Sequence, residues 1–415
     1  MVVNLVKSSF WIDRSNSMDY MQLETPCYII NTEEYERTIK ELMDAYESRW
    51  DGKVMYGYSV KTNHYPYMLK KAMEFGWFAE VVSPEEYSFA KACDCEDINI
   101  IYNGPQKRET VLDACRKGAI VNLDNLQEVQ LVTEHLSQEE KKNAVIGIRI
   151  NYNLEEECPG ETVCQGIVGR FGICLENGDV KKAIQMLHAE GIKVKGLHMH
   201  QSSNSRSCRI YECLANKAVE VIQEYDLQDE IEYIDMGGGF FGGNFFPGKP
   251  NVDQYAETIC SALKKSVDAS KVALILEPGA GILATSMDYL VSVLNIRDIR
   301  GERVITVDGN VIHINPMMKP HPTPFTILNP GVETDAKTAE AQVIGGCTCM
   351  ESDRIYPRDI KHIVEMDTRM LFHCCGAYMS THNSNFINAA PNIYVKTKDG
   401  FEMIRRKKPE LMLEY

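Results

Sequence analysis

The sequence predicts an α/β protein, a closed (β/α)8 barrel joined to a C-terminal β domain, and three observations carry that prediction. From residue 40 to 285, short apolar runs alternate with longer segments of helical period, the pattern of repeated βα units around a parallel sheet. The runs recur about every 25 to 45 residues, which suits a closed barrel better than an open doubly wound sheet. Beyond residue 286 the long helical segments stop and strand-like runs continue.

In chain order, the strand candidates are VMYGYSV (54–60), INIIY (98–102), AIVNL (119–123), AVIGIRIN (144–151), VKGLHMH (194–200), IEYIDMG (231–237) and VALILEPG (272–279). Helix candidates lie between them: HYPYMLKKAMEFG, SPEEYSFAKAC, DVKKAIQMLHAEG and DQYAETICSALKKSV. The later strand-like runs are YLVSVLNIRDIR, RVITVDG, AQVIGGC, HIVEMDTRMLFHC and NIYVKTKDGFEMIRRK, and ETDAKTAEA (333–341) reads as a surface loop. CYIIN (27–31) also reads as extended. The expected domains are therefore a barrel over 40–285 and a β domain made from 1–39 and 286–415.

A chain of 415 residues exceeds what one core usually serves, in keeping with two domains. A formal net charge of −15 argues against a nucleic-acid or anionic-membrane surface, both of which want clustered Lys and Arg. No run approaches the roughly 20 apolar residues of a membrane span, and the N-terminus lacks an apolar signal core, so a cytoplasmic protein acting on a small molecule is expected. Fourteen cysteines in so long a chain do not form a disulfide scaffold, and their pairs lack CxxC spacing, so no metal is expected.

In a barrel of this kind chemistry belongs at the C-terminal ends of the strands. Lys61 ends a strand candidate as YSVKTN; its stem either crosses the rim to solvent or holds a desolvated amine able to form a Schiff base. Three glycines in MGGGF, Gly237, Gly238 and Gly239, leave backbone N–H groups open to an anion such as phosphate, although tight turns use such runs too. Glu277 follows a buried Leu-Ile-Leu run, where an ionised carboxylate needs a partner: a pyridinium nitrogen, a basic residue or loop amides. His198 and His200 share one side of a strand, and a ring stacked on a planar cofactor suits one of them better than a metal pair.

Taken in order, these motifs resemble the diaminopimelate/ornithine decarboxylase family, the alanine-racemase-like class of pyridoxal-phosphate enzymes, over nearly the whole chain. The resemblance implies that Lys61 holds pyridoxal 5'-phosphate, that His200 of GLHMHQSS stacks on its ring, and that Ser203 lies on its phosphate side. It implies a phosphate loop at Gly237, Gly238 and Gly239, and an EPG motif, Glu277 to Gly279, whose glutamate meets the pyridine nitrogen. CTCMESD resembles the loop that sends a general-acid cysteine, here Cys349, into the partner subunit's site. CGAYMS resembles the segment whose tyrosine, here Tyr378, reaches the phosphate; GRFGI (169–173) resembles the segment before a mid-barrel helix, and Glu80 and Glu86 fall where the family has acids near the cofactor. A head-to-tail homodimer with shared active sites follows from the same resemblance.

Three departures concern the substrate. Ala280 stands where the family usually has arginine after EPG, and Met350 stands where an acidic residue reads the distal amine. Glu351, one place on, would start in a different direction. The segment 308–320 lacks the arginine that diaminopimelate decarboxylases place there. The expected activity is removal of the α-carboxylate from an amino acid or amino-acid conjugate. The alternatives are racemisation on the same scaffold, against which Glu277 weighs because alanine racemases meet the pyridine nitrogen with arginine, and a non-catalytic cofactor-binding homologue.

Overall fold

In the computed structural model the described residues are 20–164, 166–242, 248–317, 323–328, 342–356, 364–382 and 385–410. They fall into two units, one spanning Arg37–Ile282, the other built from the residues up to Glu36 and from Leu283 onward. The loop expected at 333–341 and the last part of 308–320 lie outside the described residues.

The chain enters through β1 (Cys27–Asn31) and α1 (Thr32–Glu47). Eight parallel strands then build the barrel: β2 (Val54–Ser59), β3 (Phe78–Val81), β4 (Ile100–Tyr102), β5 (Ile120–Leu123), β6 (Val145–Asn151), β7 (Gly196–His198), β8 (Tyr233–Asp235) and β9 (Ala273–Leu276). Pairing runs in sequence from β2 to β9, and β9 returns to β2 with Leu274 opposite Val54, which closes the cylinder. The predicted strands are present, and β3 is an eighth that the apolar pattern did not single out. The helices on the outside are α2 (Pro66–Glu74), α3 (Pro84–Ala92), α4 (Thr110–Arg116), α5 (Leu126–His135), α6 (Asp179–Ala189), α7 (Cys208–Glu224) and α8 (Val252–Leu263).

Local chemistry starts these helices where they start. Ser83 accepts the Glu86 amide and Pro84 fills the first helical position of α3, where a missing N–H is harmless. Asn251 and Gln254 form a reciprocal capping box on α8.

The barrel interior is layered. Met55, Ile101, Ile120, Tyr233 and Ile275 form one apolar cluster. Two residues further along the strands, on the same face, the positions become Gly57, Asn103, Asn122, Asp235 and Glu277. An apolar floor thus carries a polar layer directly above it, at the C-terminal end where active sites of this architecture lie.

The second unit is a β domain. β10 (Met287–Ile299), β11 (Glu302–Val307), β12 (Phe325–Leu328), β13 (Gln342–Gly345), β14 (Arg354–Tyr356), β15 (Arg369–Phe372), β16 (Asn392–Thr397) and β17 (Gly400–Arg405) join β1 in one sheet. β1 lies between antiparallel β10 and parallel β16, so CYIIN does form a strand of this domain. Cys27, Ile29, Leu290, Leu371 and Tyr394 pack together in its core. All fourteen cysteines are free thiols. Among the described residues, no helix is long and apolar enough to cross a membrane.

Candidate active site

Lys61 leaves β2 on a single 3-10 turn, Val60–Thr62, and its ammonium meets the Glu80 carboxylate of β3. Glu80 is buried, whereas 40% of the lysine side chain is exposed, so Lys61 bridges the barrel interior and its open end. Glu80 is joined to Glu277 through Asn103, whose Nδ2 donates to Glu80 Oε1 at 3.2 Å and also to Glu277 Oε1. Asn122 extends the network: its Nδ2 donates to Asn103 Oδ1 at 2.9 Å and to Asp235 Oδ2 at 3.1 Å, and its Oδ1 accepts the Tyr233 hydroxyl at 2.8 Å.

The Asp235 and Glu277 carboxyls lie side by side, with oxygens within 4.8 Å of each other, and each influences the other's ionisation. Burial is the main cause raising both carboxyls above their usual range; for Glu277 the neighbouring Asp235 and Glu80 add to it and Lys61 opposes. His198 Nε2 lies 3.6 Å from Glu277 Oε2, and neither ring nitrogen of this buried histidine has a hydrogen-bond partner among the described residues. Burial, reinforced by Arg149, keeps His198 neutral and pushes His200 down to about 3. The His198 and His200 rings lie nearly parallel, centroids 6.2 Å apart. Donor atoms of His198, Asp235 and Glu277 fall within 4.8 Å of one another. Both Asp235 oxygens accept hydrogen bonds, from the Gly237 amide and from Asn122.

The glycine run is dictated by contact. Gly237 has φ +67°, and a Cβ there would meet His200 Cβ at 2.4 Å; a Cβ on Gly238 would stand 2.0 Å from the Glu277 carbonyl oxygen. Gly239 has φ +93°. A Cβ on Gly279 would lie 2.4 Å from Thr62 Oγ1, in the lysine turn. Lys61, His200, Gly237, Gly238, Gly239, Glu277 and Gly279 therefore gather at one end of the barrel.

Ser203 lies in the next loop, bridged to Thr162 and accepting the Arg206 amide at 3.0 Å. Arg149 donates to the His200 carbonyl at 2.9 Å and thereby supports the histidine backbone. Cys349 and Tyr378 belong to the β domain. Cys349 is exposed, on a loop held by Asp353, whose carboxylate accepts the Thr348 amide at 3.0 Å and the Val311 amide at 2.7 Å. Glu351 is solvent-exposed and paired with Arg354 at 3.6 Å. Sequence reasoning missed Asn103, Asn122 and Asp235; the available signal was a polar residue ending each of the runs IIYN, IVN and YID.

Residues 36–284, more than half of the chain, match the family model for the pyridoxal-dependent decarboxylase, pyridoxal binding domain. The chain belongs to the pyridoxal-dependent decarboxylases. It is 24% identical to a diaminopimelate decarboxylase of Zymomonas mobilis, covering 89% of this chain and 86% of that protein. It is also 24% identical to the L-glutamyl-[BtrI acyl-carrier protein] decarboxylase of Niallia circulans, covering 93% of this chain and 92% of that one. A diaminopimelate decarboxylase from M. jannaschii, solved with L-lysine, shares the fold with a TM-score of 0.82 at 24% identity, covering 92% of this chain and 90% of that chain.

The family's cofactor is pyridoxal 5'-phosphate, and the site fits it. Among the described residues, Lys61 pairs with the buried Glu80, while burial raises the neighbouring Asp235 and Glu277 carboxyls, and a pyridinium beside Glu277 would hold that carboxyl ionised. The glycine run offers backbone at a place where any side chain would collide.

Proposed function

We propose that the chain removes the α-carboxylate of an amino acid or amino-acid conjugate whose distal end carries no charge needing a protein counter-ion. One observation carries the decarboxylase chemistry at this site: Lys61, Glu80, Asn103 and Glu277 form one connected polar cluster at the barrel's C-terminal end. Pyridoxal phosphate, when bound, supplies an electron sink for the pair left on the α-carbon as CO2 departs.

The protein residues do the rest. Lys61 provides the amine that anchors the cofactor, and Glu80 takes up and returns its proton. Glu277 presents a carboxyl to the ring nitrogen, and Asp235 shares the proton that this carboxyl must release to become an anion. The neutral His200 ring offers a flat apolar face for the cofactor ring. The Gly237 to Gly239 turn, whose Gly237 amide is committed to Asp235, offers the backbone of Gly238 and Gly239 to the phosphate alongside the Ser203 and Tyr378 side chains, with Gly279 keeping the turn close. Cys349 Sγ donates a proton to the α-carbon, coming from the partner chain of a homodimer.

The substrate reading rests on Ala280, Met350 and the exposed, Arg354-paired Glu351, none of which offers a counter-ion for a distal amine or carboxylate. The Niallia circulans relative, named for a carrier-bound glutamyl group, supports a conjugate. Free diaminopimelate, lysine and ornithine are expected to be poor substrates compared with neutral or conjugated amino acids.

The test is borohydride reduction of the cofactor-loaded protein followed by peptide mass mapping. The cofactor should be fixed at Lys61, and Lys61→Ala should lose both the fixed cofactor and turnover. Turnover retained in that variant overturns the assignment.

A further inference from the structure

Asn103 is 2% exposed, and its backbone extends the β4 ladder, donating to the Val81 carbonyl at 2.8 Å. The direction of its side-chain amide is set by its neighbours. Tyr233 donates to Asn122 Oδ1, which turns Asn122 Nδ2 toward Asn103 Oδ1, which in turn aims Asn103 Nδ2 at two carboxylates. A flipped amide would set a carbonyl oxygen against both acids and a donor against a donor. Gly57 makes the convergence feasible: a Cβ there would stand 3.1 Å from Glu80 Cβ and 3.5 Å from Glu277 Cγ.

We propose that Asn103 is a positioning residue: its one amide group, donating to Glu80 and Glu277 together, ties the acid that serves Lys61 to the acid that faces the cofactor nitrogen. This rests on the cofactor reading above and adds a coupling to it. The titratable groups facing Glu277 include Lys61 from the turn after β2, Glu80 on β3, His198 on β7, and Tyr233 and Asp235 on β8; Lys61, Arg149 and Lys107 act on His198, and Lys61 and Arg149 on His200. Of the hydrogen-bond donors described here, Asn103 touches both Glu80 and Glu277. Losing it withdraws a hydrogen bond from each carboxylate, which makes both more basic and raises the pH at which the proton held between each acid and its partner is lost.

The experiment follows the visible absorbance of the cofactor-loaded protein across pH, with thermal melting alongside, for wild type, Asn103→Ala, Asn103→Asp and Tyr233→Phe. Asn103→Ala should move the pH midpoint of the band upward by about one unit, the size of shift that loss of such hydrogen bonds produces. Asn103→Asp, which keeps the volume, should shift it the same way. Tyr233→Phe removes the first link of the chain that orients Asn103 without removing a hydrogen bond to either acid; it should lower the melting temperature and move the midpoint in the same direction but by less. Midpoints of both Asn103 variants that superimpose on wild type overturn the inference, as does an equal shift in Tyr233→Phe. A wild-type protein that takes up no cofactor would instead sink the functional reading itself.

Discussion

Glu86, in the first turn of α3, accepts the Val82 amide at 2.8 Å. Burial, with Glu80 as the next cause, pushes its carboxyl up to about 7. A folded-state value above the unfolded one means that Glu86 contributes stability in full below the unfolded value of 4.5, and that this contribution is lost as pH rises through about 7. Glu86→Gln, which keeps the acceptor and cannot ionise, should melt close to wild type at pH 5 and above it at pH 8. A variant that melts below wild type at pH 8 contradicts this. Gly238→Ala should destabilise the barrel by about 1–3 kcal/mol, the usual cost of overpacking, because its methyl would strike the Glu277 carbonyl; chemical denaturation reads it. At this scale Lys61, the glycines and Glu277 stood out in the sequence because each ends an apolar run. Asn103, Asn122 and Asp235 did not, since a short polar residue at or just past the end of a short apolar run looks like any turn residue until closure of the barrel brings three such ends into contact.

Among the elements, β3 was the strand that periodicity passed over. FAEV is four residues long, opens directly after the Trp77 turn and carries an inward glutamate, so it offers neither alternation nor a long apolar run. Its acid makes sense only beside Lys61. The other strands were legible because a parallel strand buried on both faces must be a continuous apolar run. The Cys349 loop is shaped by Asp353, which is 4% exposed and accepts from Thr348 and Val311. Asp353→Ala strands those donors and should destabilise the β domain by about 1–3 kcal/mol. If Cys349 is the proton donor, turnover should fall while cofactor absorbance stays, because the variant leaves the barrel residues untouched. Loss of absorbance with unchanged turnover contradicts that division of labour.

For the whole molecule, the barrel and the β domain were both legible from the change in periodicity near residue 286. What composition and period could not supply is the pairing that inserts β1 between β10 and β16, which joins residues some 260 to 365 positions apart in sequence. If active sites are shared between two chains, inactive Lys61→Ala and Cys349→Ala proteins should complement each other. Random reassortment makes half the dimers hybrid with one intact site of two, so mixed protein should recover about a quarter of wild-type activity. No recovery after subunit exchange, verified by mass, contradicts shared sites. The central claim is that this site breaks the bond to the α-carboxylate. Its most direct test supplies amino acids and amino-acid conjugates carrying an isotopic label in that carboxylate, following labelled CO2 and optical rotation in the same reaction. Labelled CO2 should appear in step with any change in rotation. Rotation lost without CO2 would contradict it.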